Sequence, residues 1–183
     1  MESPGTLNPL SQAAVDETVT LAPYDTLWPR AFEVERNRIC DALELPRDSI
    51  EHIGSTAVPG LVAKPVVDMM LGVPRYPPLD TTVSRLVILG YADCGEAGVA
   101  GRRYLRVREG QSFNLHIIQR DGPHWTNNLR LRDYLRIDAM ARARYVTAKR
   151  KALADGDRLL AYSAAKQPAL TTLLAEAVSV KDA

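Results

Sequence analysis

The chain has 183 residues, 46% of them hydrophobic and 25% charged, with a formal net charge of +1. That length suits one domain, or one domain with an added helical segment, and the apolar content is enough for a core, which excludes wholesale disorder. The balanced charge gives no electrostatic case for nucleic acid. Two cysteines, outside any CxxC or zinc spacing, exclude a disulfide framework, and no apolar run approaches the roughly 20 residues that span a bilayer. Residues 1–17 are polar, with prolines and glycine, and read as a loose tail; without a basic n-region and an apolar h-region they form no signal peptide, so a soluble, cytoplasmic protein is expected.

From residue 18 the chain reads as one domain. "TVTLAP" suits a short strand. A helix is expected from Trp28, with Trp28, Phe32, Ile39 and Leu43 on one face and Pro46 closing it. "DSIEHI" reads as a strand, Gly54 to Pro65 as a structured loop, and "VVDMMLGV" as a second, nearly all-apolar strand. A helix follows from Asp80 to Leu89, capped by Gly90, and "DCGEAGVAGR" is a glycine-rich loop. "RRYLRVR" and "SFNLHIIQ" then form a β-hairpin. Leu105 and Val107, with Phe113, Leu115 and Ile117, lie on one face; Tyr104, Arg106, Arg108, Asn114 and His116 lie on a polar face opposite. From about Trp125 the chain is mostly helical.

Four stretches can carry chemistry. The turn Gly54-Ser55-Thr56 allows close backbone approach and offers two hydroxyls, which suits a phosphate held by dipoles; an ordinary helix N-cap is the alternative. It is not a Walker A loop, because the GxxxxGK[ST] spacing is absent. Asp68 stands in an apolar strand, where an unpaired carboxylate costs several kcal/mol, so it requires a partner: a structural cation, backbone N–H groups, or a metal ion beside phosphate. His116 repeats the pattern on the hairpin's polar strand. Lys64, before Pro65, points near the same turn, and Arg132 and Arg136 share a helical face on which they can clamp an anion or pair with Asp133.

The block "EHIGSTAVPGLVAKPVVDMMLGV" closely resembles the signature of the GrpB family, which is placed in the nucleotidyltransferase (polymerase β-like) superfamily. The resemblance extends through "LAPYDTLWPRAFEVE", "SFNLHIIQ", "WTNNLRLRDYLR", "YVTAKRKALA" and "YSAAKQPALTTLLAEA", nearly the whole chain. It implies an α+β fold: a small mixed sheet packed with helices, and a helical C-terminal part. It also implies that Gly54-Ser55 hold nucleotide phosphates and that Asp68 is the first of two or three metal-binding carboxylates that activate an acceptor hydroxyl. The second carboxylate position holds Met70. The family's paired-histidine strand holds Asn114 and His116.

A two-metal site is therefore not expected. A single Mg or Mn ion on Asp68 and His116, helped by Glu51, is one expectation; a metal-free anion site from Ser55, Thr56, Lys64, Arg132 and Arg136 is the other. The function expected is transfer of a nucleotidyl or related group to a small molecule, with a nucleoside triphosphate as cofactor. The alternatives are a catalytically silent nucleotide- or cofactor-binding module and a structural protein. Family members can occur joined to a dephospho-coenzyme A kinase, which the resemblance connects with nucleotide cofactors.

Overall fold

The computed structural model describes residues 9–181. Its helices are α1 (Gln12–Val15), α2 (Trp28–Leu43), α3 (Asp80–Ile88), α4 (Pro123–Ile137), α5 (Ala139–Asp155) and α6 (Leu159–Lys181). Its strands are β1 (Ile50–Ile53), β2 (Val67–Val73), β3 (Ala92–Asp93), β4 (Arg102–Val107) and β5 (Phe113–Gln119). The strands form one mixed sheet in the order β1-β2-β5-β4-β3, parallel between β2 and β5 and antiparallel elsewhere. The architecture is thus α+β, as the sequence implied.

Residue alternation gives the sheet two different faces. One carries Val67, Met69, Leu71, Leu105, Phe113, Leu115 and Ile117, buried against Trp28, Phe32 and Ile39 of α2 and Val83 and Leu86 of α3. Each such large side chain contributes about 1.5–3 kcal/mol on burial. The other face carries Asp68, Met70, Asn114, His116 and Tyr104, and the C-terminal helices lie over it. Their ends follow local rules. Pro123 occupies the first turn of α4, where its missing N–H costs nothing, and the Asp138 carboxylate accepts from Ala141 N (2.8 Å) to cap α5.

Three readings from the sequence change. Residues 1–8 lie outside the described residues, but residues 9–17 are not loose. Val15 is buried, Asp16 Oδ1 accepts from Leu160 N (3.0 Å) at the start of α6, and Glu17 accepts from Arg108 (2.8 Å). The segment read as the strand "TVTLAP" makes only isolated bridges, Thr18 to Arg158 and Ala22 to Ala63, because neither partner continues as a strand beside it. A two-residue strand, β3, precedes the glycine-rich loop and pairs with β4.

Candidate functional site

β1 ends at Gly54, whose φ of 69° and ψ of −166° lie in a region that only glycine enters freely. Asp68 stands opposite Ile53 across the β1–β2 ladder. The missing side chain of Gly54 makes room for it: a Cβ there would lie 2.8 Å from Asp68 Oδ2. Asp68 Oδ1 accepts from Asn114 Nδ2 at 2.7 Å, and His116 Nε2 stands 3.6 Å from the same oxygen. Oδ2 has no hydrogen-bond partner among the described residues, and Asp68 lines a cavity.

This cavity, of about 230 Å³, lies between the polar sheet face and helices α4, α5 and α6. It is lined by Gly54, Asp68, Arg102, His116, Tyr145 and Lys166, among others. Asn114 Oδ1 accepts from Tyr104 Oη (2.7 Å) and Arg108 Nη2 (2.9 Å), which fixes the amide so that its NH₂ points at Asp68. The aspartate is therefore held by a network that runs outward to Glu17.

Cations dominate the surroundings. Lys149 Nζ lies 2.6 Å from Ser55 Oγ and 2.6 Å from the Val62 carbonyl oxygen, and 4.5 Å from the centre of the Tyr145 ring. Lys166 Nζ sits 4.8 Å from the centre of the Tyr162 ring, with no hydrogen bond or ion pair among the described residues. Arg102 Nη1 is 3.4 Å from His116 Nδ1, while its buried Nε has no partner among the described residues. Lys64 Nζ lies 3.8 Å from Glu17.

Burial and like charge depress the basic groups. Burial, with Lys166 nearby, brings the Lys149 ammonium down to about 7, and burial also lowers Lys64 and Lys166 against the pull of Asp68. Burial likewise lowers His116, so its imidazole is neutral near pH 7. Burial pushes the Asp68 carboxyl up, but His116 and Lys64 outweigh it and hold it well below the ordinary carboxylate range. The site at neutral pH is thus a carboxylate ringed by amines and a guanidinium.

Of the residues singled out in the sequence, Gly54, Asp68 and His116 line the cavity together, while Ser55 is held by Lys149 and Lys64 lies beside Glu17. The others do not line it. Glu51 shares the sheet face of Asp68, but it pairs across the ladder with Met70 and its carboxylate is held by Arg132 Nη1 (2.7 Å). Thr56 is 1% exposed, and its Oγ1 lies 3.0 Å from His52 Nε2, so it braces the turn from inside. Arg132 is spent on Glu51, Asp133 and the His52 carbonyl, and Arg136 donates to the Ala57 carbonyl (3.0 Å) and lines a different hollow with Tyr24 and Arg142.

Lys149, Lys166, Tyr145 and Tyr162 were not singled out as site residues. A signal existed: "YVTAK" and "YSAAK" both place tyrosine four residues before lysine, one turn apart on a helix. A larger groove of about 500 Å³, between α4 and α6, is lined by Trp125, Leu129 and Tyr134, away from Asp68.

The donor set fits a divalent cation poorly. Among the described residues no group of three or more His, Cys, Asp and Glu side chains can hold a metal. Asp68 and His116 alone remain, already turned to each other and surrounded by positive charge that repels a cation. The same charge suits an anion.

Residues 18–176 match the GrpB protein family. The chain belongs to the GrpB family. This GrpB protein is 34% identical to a UPF0157 protein of Halalkalibacterium halodurans over 146 residues, covering 73% of this chain and 69% of that one. It is 30% identical over 178 residues to a dephospho-CoA kinase of Mycolicibacterium paratuberculosis, covering 82% of this chain but only 44% of the kinase. Among solved structures, the crystal structure of GrpB from Enterococcus faecalis superposes with a TM-score of 0.77 at 30% identity, over 90% of this chain and all of the other. No described helix is long and apolar enough to cross a membrane.

Proposed function

We propose that this GrpB protein acts on a phosphate-bearing, nucleotide-derived small molecule, transferring a nucleotidyl or related group to an acceptor hydroxyl. The observation that carries the reading is that Lys166 and Arg102 line one cavity with the Asp68 carboxylate, with Lys64 close enough behind it to act on that carboxylate. The cations take the phosphate charge, which the missing carboxylates cannot do through bound metal. Asp68 Oδ2, ionised and free of partners, accepts a proton from the acceptor hydroxyl. His116 and Asn114 orient that carboxylate. The similarity to part of a dephospho-CoA kinase supports a ligand of the nucleotide-cofactor class.

A second reading, a binding module without turnover, is favoured by Met70. The side chain at the second carboxylate position is fully buried, packed with Ile53, Ile118 and Trp125, and takes no part in any polar site. A thermal-shift panel of nucleoside triphosphates and coenzyme A-type cofactors, each with EDTA, Mg²⁺ or Mn²⁺, tests the proposal. A ligand at 100 times its Kd should stabilise the protein by about 2.7 kcal/mol, or several degrees, in EDTA as well as in metal. Product formation by wild type but not by Asp68→Asn separates the enzyme from the silent module. A shift that appears only with metal would count against the amine-lined site.

A further inference from the structure

Ser55 and Lys149 form a pair that binding alone does not explain. Ser55 is half-buried and follows directly on the sharp turn at Gly54, which lines the cavity with Tyr145. Lys149 is 1% exposed, and among the described residues it pairs with no carboxylate. Its Nζ is held between Ser55 Oγ and the Val62 carbonyl, both at 2.6 Å, with the Tyr145 ring alongside. Nζ donates to both Ser55 Oγ and the Val62 carbonyl; once the amine has lost a proton, the same short contact lets Ser55 Oγ donate to the Nζ lone pair.

A lysine kept only to brace a loop gains nothing from being buried without an ion pair. A lysine base for a serine nucleophile needs that isolation. The charged groups facing Lys149 are Lys166, which lowers its proton affinity, and Asp68, which raises it; burial, with Lys166, outweighs Asp68 and brings the amine down to about 7.

We propose that Ser55 is a nucleophile and Lys149 its general base, so that the group transferred passes through a covalent Ser55 ester. The substrate class is a phosphoanhydride, a choice that rests on the phosphate reading of the neighbouring cavity. In the first step Ser55 Oγ attacks phosphorus, the Oγ–P bond forms, and the bond from phosphorus to the bridging oxygen breaks. The Oγ proton passes to the Lys149 amine, and the departing phosphate carries its electron pair towards Lys166 and Arg102. In the second step the acceptor hydroxyl, its proton taken by Asp68 Oδ2, attacks phosphorus. The Oγ–P bond then breaks, and the Lys149 ammonium returns a proton to Oγ. Nothing is oxidised or reduced.

The test uses the full chain and a fluorophosphonate probe, a phosphorus electrophile whose reaction needs no natural substrate. Intact mass and peptide mapping should find one label, on Ser55, absent from Ser55→Ala. Lys149→Met and Lys149→Arg, checked for folding by circular dichroism, should label at least about a hundredfold more slowly, the size of a lost general base. Arginine keeps the charge and the hydrogen bonds but cannot take the proton, so slow labelling in folded Lys149→Arg separates a base from a brace. If wild-type Ser55 stays unlabelled, or folded Lys149→Arg labels at the wild-type rate, the proposal fails. Failure of the phosphate reading registers separately, as no nucleotide-induced thermal shift in a protein whose Ser55 still labels.

Discussion

Replacing Gly54 by alanine tests how the turn and the aspartate are built around each other. Two costs add. At φ 69° and ψ −166° a residue with a Cβ is strained by about 1–3 kcal/mol. The new Cβ would also lie 2.8 Å from Asp68 Oδ2 and 3.1 Å from Asp68 Cβ. Asp68 cannot swing away freely, because Asn114 holds Oδ1 at 2.7 Å and is itself held by Tyr104 and Arg108. Displacing it sacrifices a charged hydrogen bond worth about 1.5–3 kcal/mol. The sum, about 4 kcal/mol, corresponds to a Tm lower by roughly 10 °C for a chain of this size.

Gly60 is the control. Its φ is also positive, at 77°, but a Cβ there meets nothing within 4 Å, so Gly60→Ala pays only the backbone cost of about 1–2 kcal/mol. Calorimetry should show Gly54→Ala melting several degrees below Gly60→Ala, and ligand binding should fall only in Gly54→Ala. Equal melting temperatures together with intact binding in Gly54→Ala would refute the idea that the glycine exists to admit the Asp68 carboxylate.

Two further outcomes follow from the same network. Burial chiefly, with Arg136 and Arg132 adding to it against Asp68, lowers the buried His52 from 6.5 to about 4, so the folded state resists a proton that the unfolded chain accepts. Stability should therefore decline as pH falls from about 6.5 to 4, by up to about 3 kcal/mol; urea midpoints at both ends should show a smaller loss in His52→Asn, and an equal loss would contradict the assignment. Asn114→Leu removes the partner of Asp68 Oδ1 and strands Tyr104 Oη and Arg108 Nη2, which should cost about 2–4 kcal/mol by urea unfolding; a change below 1 kcal/mol would mean that the network rearranges without strain.

The sheet was readable because its strands obey a period of two against apolar neighbours, and the same regularity exposed Asp68 and His116 as polar residues out of place. The helices hid their contribution for the opposite reason. In α5, Lys149 stands beside Arg150 and Lys151, and nothing in the local pattern distinguishes a lysine that turns inward from two that face solvent. Only the packing of α5 and α6 over the sheet brings Lys149 and Lys166 to Asp68. The same limit misdirected Arg132 and Arg136: their spacing puts both on one face of α4 but does not say what that face meets, and it meets Glu51, Asp133 and backbone carbonyls. Glu51 stands three residues before the Gly54 turn in sequence. Register and Arg132 take it away. The described part of the N-terminal segment, polar in composition, gains its order from long-range pairs such as Glu17 with Arg108, which no local window contains.

The central claim is that amines rather than a metal hold a phosphate-bearing ligand beside Asp68, and calorimetric titration in EDTA tests it most directly. With the ligand that gives the strongest thermal shift, wild type should bind without added metal. Lys166→Ala, which removes a cation from a site largely shielded from water, should raise Kd at least about tenfold, or 1.4 kcal/mol. Asp68→Asn should bind as tightly as wild type or tighter, since it removes a negative charge beside the phosphate. Binding that vanishes in EDTA, or an unchanged Kd in Lys166→Ala, would contradict the account.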